Sequence, residues 1–197
     1  MEKSRAIVEL ERYLSLINFL RDEVNLYEEL FCVDSNVSKI NETLPNVFLV
    51  IQVSMFSSIL TRISACLEAE GSDRFGFNIS IARLFSNFSA HISEGQRSEL
   101  HSINEEYERL GIKLFRHKVI AHNDVETAHN VEKFAHSITP GSLPPLVGRI
   151  FNLALSVFEG LPEFQYLEIK SPPAQIYPEA DGTALVNHLR RSMNMAK

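Results

Sequence analysis

Proline placement constrains this chain more than any other feature. After Pro45 the next proline is Pro140, and seven of the eight prolines fall in the last 58 residues. Proline removes a backbone donor and clashes with the preceding turn inside a helix. Residues 46–139 are therefore free to be helical with loop interruptions only, while the last third is broken. Apolar spacing fills that frame. Ile7, Leu10, Leu14, Ile17, Leu20 or Arg21, and Val24 recur at threes and fours, which predicts a first helix from Ser4 to Phe31 with one apolar stripe. Pro45 suits the first turn of a second helix running to about Glu70. That helix is apolar on most sides, which places it in the middle of a bundle.

Gly71-Ser72-Asp73 reads as a turn, and Asn78 as the cap of a short helix through Phe88. Ser93 and Gln96 have the capping-box spacing and open a fourth helix. Its stripe is Leu100, Ile103, Tyr107, Leu110 and Leu114; beyond Leu110, Ile112, Leu114, Phe115, Val119 and Ile120 surround the axis, so the helix end is expected to be enclosed by this chain or by a second copy. A fifth helix, Leu146 to Leu161, carries Ile150, Leu153, Ala154, Val157 and Phe158 on its apolar face. Residues 163–170 alternate like a short extended piece, Ser171-Pro172-Pro173 and Pro178 mark a linker, and Asp181 caps a last helix through Met195. The expected organisation is an all-α bundle over residues 1–165, with four to five core helices. An extended linker and C-terminal helix, a candidate dimerisation arm, occupy 166–197.

Composition excludes several classes. With 45% apolar and 22% charged residues the chain is an ordinary globular one. Leu44 to Leu60 comes nearest to a membrane span but is interrupted by Asn46, Gln52 and serines, so no membrane partner is expected. Glu2, Glu9 and Glu11 break up any secretory signal, which makes Cys32 and Cys66 reduced core thiols of a cytoplasmic protein and the four Asn-x-Ser/Thr sequons chance matches. A net charge of −6 argues against coating nucleic acid through a broad basic face. A small basic site is compatible with it: Arg109, Lys113, Arg116 and Lys118 form a tight cluster, with Glu105, Glu106 and Glu108 just upstream.

Within that cluster, Arg116-His117-Lys118-Val119-Ile120-Ala121-His122-Asn123-Asp124 places a guanidinium, two imidazoles and a carboxylate within nine residues. Arginine binds phosphate oxygens in a fixed fork, and histidine moves protons near neutral pH. Here the chain resembles the HEPN superfamily of small helical bundles, whose motif is Arg, a polar residue, three to five others, then His. Within it the likeness is to the abortive-infection branch named for the AbiU phage-resistance system. Besides Phe115 to Asp124, the likeness is carried by Ile59-Leu60-Thr61-Arg62-Ile63-Ser64 leading to Asn78-Ile79-Ser80-Ile81-Ala82-Arg83-Leu84, and it covers about residues 45–124.

The resemblance implies a homodimer that brings two Arg/His sets into one cleft and cuts RNA without a metal or other cofactor, as part of a defence or toxin-type system. Arg116 would clamp the scissile phosphate, His122 would move a proton to or from the reacting oxygens, and His117 would be a second proton carrier. Lys113, Lys118, Asn123 and Asp124 would support binding, Asp124 by orienting an imidazole. DNA lacks the attacking 2′-hydroxyl and would not be cut. An antitoxin or regulatory protein is a further implied partner. One position departs from the pattern: HEPN toxins paired with nucleotidyltransferase antitoxins often carry Tyr two residues after the His, where this chain has Asp124, so neutralisation by adenylylation is not expected.

Other readings of the same residues stay open. Six residues along a regular helix leave Arg116 and His122 roughly 120° apart around the axis. Either the helix ends or loosens before His122, or the site combines side chains from two protomers. Arg116 could instead pair with a neighbouring Glu, with His122 favoured as a cation at a helix C-terminus. A non-catalytic HEPN-like module binding a nucleotide or partner protein is the alternative function. A metal site from His117, His122, Asp124 and His129 is not expected, because the five-residue His spacing is not the i,i+4 pair of helical zinc sites. His91, His101, His136 and His188 read as surface or interface residues, and Arg62 and Arg83 as exposed salt-bridging residues.

Overall fold

The first helix, α1 (Arg5–Phe31), is the axis around which the rest assembles in the computed structural model, which describes residues 4–68, 71–72, 76–120, 136–162 and 181–195. Ser4 caps it by accepting from the Ile7 N–H, and Ile7, Leu10, Leu14, Ile17, Leu20 and Val24 are buried as their spacing predicts. Tyr13 is also fully buried, with its hydroxyl donating to the Cys66 carbonyl at 3.2 Å. A buried phenol needs that acceptor, since an unpaired hydroxyl would carry the whole cost of losing water.

The remaining elements in chain order are α2 (Asp34–Thr43), α3 (Pro45–Leu67), a two-residue antiparallel ladder of β1 (Gly71–Ser72) with β2 (Gly76–Phe77), α4 (Ile81–Asn87), a 3-10 turn at Ser89–His91 and α5 (Glu94–Arg109). Then follow α6 (Ile112–Phe115), a π-helical turn at Arg116–Ile120, α7 (Leu143–Glu159) and α8 (Gly182–Met195). The fold is all-α apart from that minimal ladder. One core joins α1, the second half of α3, α4, α5, α6 and α7; a smaller cluster of Leu30, Ile40, Phe48 and Val186 joins α1, α2, α3 and α8.

Several expectations need correction. Helix α2 has no counterpart in the sequence reading, because its apolar positions are too few to make a stripe. Asn36 holds it in place, donating to the Glu29 carbonyl at 2.8 Å and to Thr183 Oγ1 at 2.9 Å. The cap of α4 is Ser80 rather than Asn78, with Ser80 Oγ accepting from the Arg83 N–H. Pro144 and Pro145 lie in the first turn of α7, where proline is tolerated, so α7 begins earlier than Leu146. Its apolar face of Ile150, Leu153, Ala154, Val157 and Phe158 is buried as expected, and Asp181 caps α8 through the Ala184 N–H.

The largest correction concerns α3. It is not central. Ile59, Leu60 and Ile63 are fully buried, but in the first half only Phe48 reaches the interior, and Val47, Leu49, Val50 and Val53 are 51–66% exposed. α3 is also long and apolar enough, by length and composition alone, to cross a membrane. Its second half is packed against the bundle, fixed by the Tyr13–Cys66 bond and by Tyr107 donating to the buried Ser64 hydroxyl at 2.8 Å.

The expected capping box at α5 is present in both directions, Gln96 N–H to Ser93 Oγ at 3.2 Å and Ser93 N–H to Gln96 Oε1 at 2.8 Å. Ser93→Ala is therefore expected to cost about 1 kcal/mol, a fall in Tm of roughly 2–4 °C by thermal melting.

Arg83 joins α4 to α1, with its guanidinium donating to both Glu9 carboxylate oxygens at 2.7 and 3.0 Å and Asn87 donating to the same group at 2.8 Å. The salt-bridging was expected but not the enclosure: the two side chains are only 13% and 12% exposed. Hydrogen bonds from Arg83 outweigh burial and hold the Glu9 carboxyl at about 2, below its ordinary 4.5. A depressed carboxyl stabilises the fold fully above the unfolded value and progressively less as pH falls toward the folded one. Glu9→Gln should thus destabilise at pH 7 by about 1–2 kcal/mol after allowing for solvent screening. The gap between wild-type and variant melts should narrow from pH 5 to pH 3; a constant gap would refute the charge-based account. Arg62 is the more exposed of the two, pairing with Glu23 at 3.4 Å and lying 5.0 Å over the Phe19 ring.

Candidate functional site

Gly111 decides where the Arg116 segment sits. Its φ of 69° is a left-handed conformation that side chains resist, and it ends α5 at Arg109 before α6 restarts. The expected continuous stripe therefore stops at Leu110. Ile103, Tyr107 and Leu110 are buried, but Leu114 is 47% exposed, so it is not a core position. Nor is the helix end fully enclosed among the described residues: Phe115, Val119 and Ile120 are only partly buried.

From Arg116 to Ile120 the hydrogen-bond ladder widens to the π pattern. Such turns are rare, and they recur at functional sites. The helix thus loosens before His122, one of the two routes by which Arg116 and His122 could escape the angular separation of a regular helix. His122, Asn123 and Asp124 lie outside the described residues, as does His129.

Arg116 has a partner that the sequence did not reveal. Its guanidinium pairs with Glu68, the residue that caps the C-terminus of α3; the two side chains are 24% and 36% exposed. The Arg116 Nε is buried and has no hydrogen-bond partner among the described residues. A carboxylate already engages this guanidinium, so any other anion meeting Arg116 would have to displace or share Glu68.

The rest of the basic cluster is similarly matched. Arg109 pairs with Glu106 through two contacts of 3.0 and 2.6 Å, and Lys113 pairs with Glu108 at 3.0 Å on the exposed surface. Those charges lower the field an RNA backbone would meet. His117 is exposed and Lys118 partly buried. Among the described residues no group of three or more His, Cys, Asp or Glu side chains is placed to hold a metal.

His136, expected at the surface or at an interface, packs beside the Arg116 segment. It is half-buried rather than at the surface, with its ring 4.7 Å from Phe115 and 5.1 Å from Phe56. Nδ1 accepts from the Ile138 N–H at 3.2 Å, which leaves the proton on Nε2 in the neutral ring. Burial lowers its pKa, favouring that neutral form. With the Ser137 N–H donating to the Leu110 carbonyl at 2.9 Å, His136 fastens the returning chain to the base of the Arg116 turn. No periodic signal links residues 116 and 136, and neither Glu68 nor His136 belongs to a motif.

A concavity lies between α5 and α7, lined by Gln96, Glu99, Arg149 and Asn152 among others. Arg149 is already engaged by Glu99 at 2.8 Å and Ser102 at 2.9 Å, so no charged group is left directed at a ligand.

Comparison with protein-family models, with curated proteins and with solved structures returns no match.

Proposed function

We propose that this chain is a metal-independent endoribonuclease of a HEPN-like defence or toxin-type system. In this reading two protomers contribute Arg116 and His122 to one cleft in the cytoplasm. The observation that carries it is the π-helical turn. The segment bearing Arg116 and His117 departs from regular helix immediately before His122, at the surface of the bundle. His122 or His117 takes the proton of the 2′-hydroxyl as that oxygen bonds to phosphorus. The phosphorus–O5′ bond breaks, and a second imidazole protonates the leaving oxygen. The products are a 2′,3′-cyclic phosphate and a 5′-hydroxyl. Arg116, released from Glu68, faces the growing negative charge on the phosphate oxygens. Lys113, Lys118, Asn123 and Asp124 support binding, and no cofactor is required.

The second reading is a non-catalytic helical module, and the Glu68–Arg116 pair favours it, because an arginine satisfied within its own chain can be purely structural. Incubating the purified protein with total cellular RNA in EDTA decides between them. Cleavage leaving cyclic-phosphate ends, abolished by His122→Ala, supports the nuclease. RNA left intact by a folded protein supports the module.

A further inference from the structure

The first half of α3 presents an apolar face that nothing in the described chain covers. Phe48 turns inward to Leu30 and Ile40, and Val50, two positions on, points the opposite way at 66% exposure. Val47 on one side and Leu49 and Val53 on the other widen the face. No residue between Glu42 and Arg62 carries a charge. Ser54 and Ser57 continue the face with small side chains that permit close approach.

We infer that this face, centred on Val50, is where a second copy of the chain docks. Leu44, Val47, Leu49, Val50, Ile51 and Val53 together expose on the order of 500 Å² of apolar surface, at the upper end of what a monomer carries. Two such faces apposed bury roughly 1,000 Å², which reaches the lower bound of a specific interface. The face is also electrically neutral on a chain of net charge −6, so it pairs with itself without like-charge repulsion. A lipid surface is the poorer fit, because interfacial helices carry Lys and Arg along their polar flank and this run has none.

The location matters for the site. Val50 and Glu68 are eighteen residues apart, which is five full turns. They share one side of α3, about 27 Å apart along the axis. A copy lying along that side ends beside the Glu68–Arg116 pair. The inference deepens the two-protomer reading above by naming its surface, yet it rests on a separate observation.

Sedimentation equilibrium of the full chain tests it. Wild type is expected at twice the monomer mass at micromolar concentration, and Leu49→Glu/Val50→Glu at the monomer mass with unchanged helical circular dichroism. In parallel, Val50→Cys should cross-link between copies with a short bismaleimide, whereas Val8→Cys, on another exposed position, should not. The native thiols react slowly by comparison, since burial pushes Cys32 and Cys66 up to about 12. A wild type that stays monomeric overturns the inference, whether or not it binds zwitterionic vesicles instead. A folded double variant that remains dimeric, or equal cross-linking at positions 8 and 50, overturns it too. RNA cleavage is read separately, so a dimer without nuclease activity refutes only the functional reading.

Discussion

Replacing Arg116 by alanine is expected to lower RNA cleavage in EDTA by about 10²–10³-fold, the usual loss when one charge-stabilising donor is removed from a transition state. His122→Ala should cost a comparable or larger factor, roughly 10²–10⁴, as the proton carrier disappears. Glu68 supplies the arm that separates chemistry from structure. Arg116 is held by the Glu68 carboxylate at the C-terminus of α3, so Glu68→Gln removes the competitor while keeping the shape. If Arg116 binds phosphate, Glu68→Gln keeps or raises the cleavage rate while Arg116→Ala lowers it by that factor. If the pair only ties α3 to the π turn, both variants lower the melting temperature alike and neither changes the fate of RNA. Initial rates on a labelled single-stranded RNA, with melts of the same samples, read both outcomes.

Phe158→Ala should unfold the protein more readily by about 3–5 kcal/mol, since a fully buried aromatic ring leaves a cavity that its neighbours fill only in part. Phe158 has no exposed surface and belongs to the face that α7 turns into the main core with Ile150, Leu153, Ala154 and Val157. A fall in Tm of roughly 6–20 °C follows for a chain of this size. The informative control is Leu114→Ala. By spacing alone Leu114 continues the stripe of Ile103, Tyr107 and Leu110, but it is 47% exposed beyond the break at Gly111. Its loss should therefore change stability by about 0.5 kcal/mol or less. Equal effects at Phe158 and Leu114 would contradict the break in the helix.

What the sequence determined by itself is the set of elements whose signals are local. The absence of proline from 46 to 139 leaves helix as the natural local structure there, the stripe of α1 and the face of α7 repeat at helical period, and the Ser93–Gln96 box needs only residues three apart. Each of these is set by neighbours in the chain, so spacing alone reveals it. Tertiary structure decided the rest. A helix that is apolar all round, like α3, carries no direction in its own pattern, so which side is buried depends on where α1 and α5 arrive. Gly111 can sit within a helix or end one, and its left-handed φ depends on the elements packed around it. Glu68 and Arg116 lie far apart in sequence, as do Phe56 and His136, and each pair meets only because α3 runs past the π turn. Local chemistry can mark Arg116 as a candidate, but only the packing of α3 against the π turn could give it Glu68 as a partner.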